Sequence, residues 1–173
     1  KFIAVSVRDT SPAIDEKAFA EEIMRIADAE NASAVFFPMQ LPNDTEICKR
    51  LAELTSGKVL SGLSGSELAG VLSLAKFAVG MRLHFLILCI VAGCQTVAVP
   101  YDKKVGAVMR GSGCAEWIAD DDGIYEKYRF VKQHPQSLKE TAAYRLRETA
   151  YDDAMWLAEL IDESEKNDFK VKD

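Results

Sequence analysis

The chain has 173 residues, with 21 Lys and Arg against 27 Asp and Glu and a formal net charge of −6. Apolar residues make up 49% and charged residues 28%, the proportions of a soluble globular domain able to bury its own core. The acidic balance excludes the broad basic face that nucleic acids or anionic membrane surfaces require.

Residue 1 is Lys rather than Met, directly ahead of an apolar run and with no leader. The expectation is a chain that starts inside a longer natural one; a processed N-terminus would read the same. Residues 2–7 are apolar and β-branched and read as a strand. Residues 13–30 carry Phe19, Ile23, Ile26 and Ala27 at helical spacing. Residues 34–37 form a second strand closed by Pro38, and Asp44 is placed to cap a helix running to Thr55. Gly57 ends that helix ahead of a short strand at 58–60. Ser64 and Glu67 have the spacing of a capping box, opening a helix through Leu68, Val71, Leu72 and Ala75.

Residues 77–80 read as the fourth strand, 83–92 as a buried helix and 96–99 as the fifth strand. Neither strand shows the alternation of a solvated sheet, so both read as central and covered on two faces. Asp102 is a candidate cap for a helix at 105–110, and 115–118 reads as a sixth strand. Residues 137–163 form a long C-terminal helix with a stripe of Leu146, Ala150, Ala154, Leu157 and Ile161. The charged residues 164–173 read as a frayed tail, leaving one domain over 1–163. Alternating strands and helices imply a doubly wound, Rossmann-like parallel sheet of about six strands.

Cys48, Cys89, Cys94 and Cys114 show no CxxC spacing, and only two His residues accompany them, so no metal site is expected. A reduced, cytosolic setting fits best, with a disulfide left open. The apolar stretch 83–100 is interrupted by His84, Gly93, Gln95 and Thr96, so it reads as helix, stop and strand rather than a membrane span.

Ligands of open parallel sheets bind beyond the carboxyl ends of the strands, which selects the loops after Val7, Phe37, Val79 and Val99. After the fourth strand come Gly80, for a tight backbone turn, then Arg82 and His84 at the start of the next helix. Free N–H groups there favour an anion, and the Arg fork grips a carboxylate or phosphate with two bonds. Residues two apart do not face each other on a helix, so convergence of Arg82 and His84 needs part of this segment extended. Position alone favours a plainer reading of His84 as a hydrogen-bonded, half-buried side chain, and Arg82 also suits a structural ion pair. Arg8 either joins the anion site or lies on the surface. Gln40 can hydrogen-bond a ligand, whereas Asp44 is better read as a cap. Tyr101 can stack or donate; Asp102 reads as a cap, and Lys103 and Lys104 as a solvated face. There is no GxGxxG, Walker A loop, GxSxG elbow or paired-carboxylate arrangement.

Taken in order, Ser6-Val7-Arg8, Pro38-Met39-Gln40 with Asp44, Gly80-Met81-Arg82-Leu83-His84 and Val99-Pro100-Tyr101-Asp102-Lys103-Lys104-Val105 resemble the polysaccharide pyruvyl transferases. The CsaB-type branch is the nearest in pattern, over about Phe2 to Ile118; its members often carry Pro at the loop position of Lys103. The resemblance implies a two-domain, GT-B-like enzyme of which this chain is the C-terminal half, with an N-terminal domain missing. It implies phosphoenolpyruvate as donor substrate, no cofactor and no metal, and a saccharide acceptor, free or lipid-linked. The resemblance also implies that Arg8, Arg82 and His84 contact the donor. His84 and Arg82 are the candidate catalytic residues, His84 as general acid by its chemistry, and Gly80, Gln40 and Tyr101 complete the candidate site. A cytoplasmic location follows, with peripheral attachment to the inner membrane face as a variant. Two other classes stay open: a glycosyltransferase or UDP-sugar 2-epimerase half of the same architecture, and a non-catalytic anion-binding regulatory domain. Activity of the half alone is left open. A net charge of −6 is no obstacle, since a small pocket can concentrate positive potential on an acidic protein.

Overall fold

Five short runs of apolar residues, each too brief for a helix, lie side by side as a parallel sheet. A computed structural model describes residues 1–10, 13–119 and 123–134. The strands are β1 (Phe2–Ser6), β2 (Ser33–Phe36), β3 (Lys58–Val59), β4 (Ala78–Gly80) and β5 (Thr96–Ala98). The crossovers are α1 (Glu16–Ala29), α2 (Thr45–Leu54), α3 (Gly65–Leu72) and α4 (Leu83–Val91). Beyond β5 follow α5 (Lys103–Gly111), a 3-10 turn (Ala115–Trp117) and α6 (Ile124–Gln133).

The order is β3-β2-β1-β4-β5, with every pairing parallel. The chain winds outward from β1 to β3, returns across the sheet to β4 and winds outward again. The switch point therefore lies between β1 and β4, where Ser6 stands opposite Gly80.

Side-chain alternation along β1 divides the core. Ile3 and Val5 pack in one cluster with Ile23 and Ile26 of α1, Leu51 of α2 and Val131 of α6. Ala4 packs in the other with Phe37, Leu68 and Leu72 of α3, and Phe85 and Cys89 of α4. Helix α4 supplies both clusters, since Leu86 and Ile90 join the first. A helix apolar on nearly every side needs cover on nearly every side.

The caps agree with the sequence where they are local. Asp15 accepts from the Lys17 and Ala18 N–H groups at 3.1 Å each, so α1 begins at Glu16. Ser64 and Glu67 form the capping box of α3, and Asp102 accepts from Lys104 N–H at 2.9 Å ahead of α5.

The sixth strand does not form. Residues Ala115–Trp117 make a 3-10 turn, and only Ile118 forms a parallel bridge, to Ala98. Cys114 and Trp117 are both buried, and residues three apart share a side of a 3-10 turn but not of a strand. The helix expected at 137–163 and the tail at 164–173 lie outside the described residues.

All four cysteines are buried and none forms a disulfide. Burial, then the nearby Asp44 charge, pushes the Cys48 thiol up to about 12. Burial likewise raises Cys89 well above the ordinary thiol range. These thiols are packing groups. No helix among the described residues is long and apolar enough to cross a membrane.

Candidate functional site

The loops after β1, β4 and β5 emerge side by side because those strands are neighbours, and the loop after β2 flanks them. They carry Arg8, then Gly80 to His84, then Tyr101, with Gln40 and Asp44 alongside.

Gly80 is the last residue of β4 rather than a turn residue, and it is absent from the glycines with positive φ. What requires a glycine is contact. A Cβ would lie 2.7 Å from Phe85 Cδ1 and 2.9 Å from Leu86 Cδ2, both in the first turn of α4. The helix thus starts directly on the strand end. Gly80→Val should cost about 1–3 kcal/mol through overpacking and push the start of α4 outward. Urea unfolding reads the stability loss; an unchanged midpoint would show that the helix shifts without cost.

Arg82 occupies the N-cap of α4 with extended backbone, φ −76° and ψ 125°. The strand end and the cap are extended and the helix begins at Leu83, which meets the condition for Arg82 and His84 to serve one ligand. Their present partners differ. Arg82 turns to Asp44: Nε donates to Oδ2 at 2.9 Å and Nη2 donates to Oδ1. Gln40 N–H donates to the same Oδ2 at 2.9 Å. The Asp44 side chain is fully buried and that of Arg82 is 15% exposed. Arg82 Nη1 has no partner among the described residues.

Asp44 therefore corrects its reading as a helix cap. It stands at the N-cap of α2, but its side chain makes no capping bond. A buried carboxylate gains more from a two-pronged guanidinium bond than from a neutral N–H of its own helix. Sequence reasoning missed this role. The available signal was a lone carboxylate after one strand and an arginine after another, both at the ligand-binding edge.

His84 is exposed in the first turn of α4. No side chain caps that helix and no acidic residue stands in its first turn. The leading N–H groups of α4 thus keep their positive end uncompensated by their own segment. Among the described residues no hydrogen bond joins His84 to Arg82.

Arg8 and Tyr101 are brought together. The Arg8 guanidinium lies 4.4 Å from the centre of the Tyr101 ring, and its Nε donates to the Asp9 carbonyl at 3.2 Å. No carboxylate pairs with Arg8 among the described residues, so no acidic side chain there offsets the stacked guanidinium. Tyr101 also borders an open cleft of about 490 Å³ with Asp102, Lys103 and Arg110. Gln40 meets the others through its backbone and the Asp44 carboxylate, while its side chain is exposed. Among the described residues no group of acidic, His and Cys side chains is arranged to hold a metal.

Residues 4–103 match the family model described as polysaccharide pyruvyl transferase. The chain belongs to this family. Arg8, Gln40, Asp44, Gly80, Arg82, His84 and Tyr101 all fall inside the matched segment. No curated protein matches the sequence. Among solved structures, a Thermobaculum terrenum O-GlcNAc transferase is similar with a TM-score of 0.58 at 15% identity, over 94% of this chain and 35% of that one. A structure described as the basis for EarP-mediated arginine glycosylation of translation elongation factor EF-P gives 0.55 at 17%, over 94% and 60%. The Neisseria meningitidis UDP-GlcNAc 2-epimerase gives 0.51 at 12%, over 82% and 38%. At these identities the likeness is one of fold: this pyruvyl transferase family chain has the GT-B-like α/β architecture. It spans less than two thirds of the length of each of these structures.

Proposed function

We propose that this chain is the donor-binding half of an enzyme that transfers pyruvate from phosphoenolpyruvate, as a ketal, onto a sugar diol of a cell-surface polysaccharide or its precursor. The observation that carries the reading is the uncapped start of α4 at the switch-point edge, with Arg82 as its N-cap and Arg8 in the neighbouring loop. Phosphoenolpyruvate bears a carboxylate and a phosphate, which suit a helix N-terminus and two guanidinium groups. Asp44 holds the Arg82 side chain on one edge, leaving Nη1 for the donor. A pre-oriented fork loses less freedom on binding than an unrestrained one.

His84, exposed beside the helix start, protonates the donor's methylene carbon, which becomes a methyl group. The adjacent carbon gains oxocarbenium character. One sugar hydroxyl adds to it and gives up its proton. The bond from that carbon to the phosphate oxygen breaks, the phosphate keeping the electron pair. The second hydroxyl of the same sugar then adds and gives up its proton, closing the ketal. Of the two hydroxyl protons, one restores His84 and the other leaves with phosphate. The rest of the enzyme supplies further acceptor contacts across the cleft. Phosphoenolpyruvate is a cytoplasmic metabolite, so the reaction belongs in the cytoplasm; a lipid-linked acceptor would bring it to the inner membrane face.

The test uses the full-length enzyme with phosphoenolpyruvate and a panel of diol-bearing glycosides, following phosphate release and the new ketal methyl resonance. Both signals are expected with at least one glycoside. Turnover of UDP-sugars with no consumption of phosphoenolpyruvate overturns the reading.

A further inference from the structure

A second cavity lies on the same edge of the sheet, on the other side of the loop that holds Gln40 and Asp44. Its volume is about 120 Å³, and its walls include Phe37 and Met39 after β2, Ser61 and Leu63 after β3, and Leu68 and Leu88 from α3 and α4. No charged side chain lines it. It therefore cannot hold the doubly anionic donor, whose recognition needs cations. Leu88 stands one helical turn after His84 on the same face of α4, about 5–6 Å away between Cβ atoms. Leu88 thus joins the cavity wall to the helix face that carries His84.

We infer that this cavity is an acceptor subsite that takes one neutral pyranose ring and presents its diol to the donor next to His84. The inference rests on the pyruvyl-transfer reading. A pyranose has an apolar C–H face and a rim of hydroxyl groups. The cavity lining combines apolar Met39, Leu63 and Leu88 with Ser61 and with Gly62 and Gly65, which offer only main chain. A Cβ on Gly62 or Gly65 would meet no protein atom within 4 Å, so the wall is open at both. The small volume suits a single ring rather than an extended chain, so a polymeric acceptor places only its reacting residue here.

Gly65 supplies the test. It opens α3 without positive φ, it lines the cavity, and a Cβ there would meet no protein atom within 4 Å, so a larger residue is accommodated beside the cavity without displacing protein. The full-length enzyme is compared with Gly65→Ala and Gly65→Leu, using methyl hexopyranosides bearing free 3,4- or 4,6-diols as probes. Saturation transfer from protein to probe reads binding without turnover, and phosphate release gives KM for probe and donor separately. Expected is transfer to at least one probe on the parent enzyme, reduced in Gly65→Ala and abolished in Gly65→Leu. The probe KM rises at least about tenfold, while the phosphoenolpyruvate KM and the unfolding midpoint stay put. No transfer to any probe, or transfer undiminished in Gly65→Leu, overturns the subsite. Normal ketal formation with undiminished transfer overturns the subsite alone. Probe binding blocked by Gly65→Leu in an enzyme that never consumes phosphoenolpyruvate overturns the donor reading alone.

Discussion

Asp44→Asn is expected to destabilise the domain by about 3 kcal/mol, the largest stability loss of any conservative change at the site. The Asn oxygen can still accept from Gln40 N–H, so the loss isolates the charge. What remains is a guanidinium only 15% exposed with its counter-charge gone. Removing one partner of a buried pair costs about 3–5 kcal/mol, and the partial exposure of Arg82 places this case at the low end. Urea unfolding at neutral pH measures it. Adding Arg82→Met should recover much of the loss, because the uncompensated charge then disappears. A loss under about 1 kcal/mol would mean that the pair behaves like a surface ion pair and that Arg82 is not held in place.

His84→Ala is expected to lower turnover about 10²–10⁴-fold in the full-length enzyme, the contribution of a positioned acid–base group. Its side chain is exposed and lends nothing to either core cluster, so the unfolding midpoint should move by no more than about 0.5 kcal/mol equivalent. The split between constants decides the role. A fall in kcat with little change in the phosphoenolpyruvate KM marks proton transfer. Turnover within a few-fold of the parent, with a raised donor KM, would make His84 a binding group and end the acid assignment.

Features that depend on a few consecutive residues were legible in the sequence. The Ser64–Glu67 box and the Asp102 cap form as read, because both partners lie within one turn. The apolar run at β4 announces a central strand because water reaches neither face; β5, read as central on the same grounds, is equally buried yet ends the sheet, with only the Ala98–Ile118 bridge beyond it. At 115–118 the same logic misleads: the segment is apolar enough for a strand, yet Cys114 and Trp117 need one side, and a 3-10 turn provides it. Asp44 was misread for a different reason. A carboxylate ahead of a helix has the signature of a cap whether or not it caps, and the competing Arg82 lies 38 residues away. Gly80 was read as a turn residue, whereas its lack of a Cβ answers to Phe85 and Leu86, a packing constraint with no local sign. The pairing of Arg8 with Tyr101 was equally invisible, since it needs β4 laid between β1 and β5.

The strand order gives the Asp44–Arg82 bond a meaning in time as well as space. The first three strands can assemble by successive neighbour-to-neighbour crossovers, but β4 must return past two of them to reach β1. Only then does Arg82 come within reach of Asp44. Closing so distant a contact costs chain entropy before it yields anything, which makes such contacts late in assembly. The arginine fork is therefore oriented only in a chain whose return crossover has docked. Until that crossover docks, the chain carries all the same side chains without an ordered fork for an anion to engage.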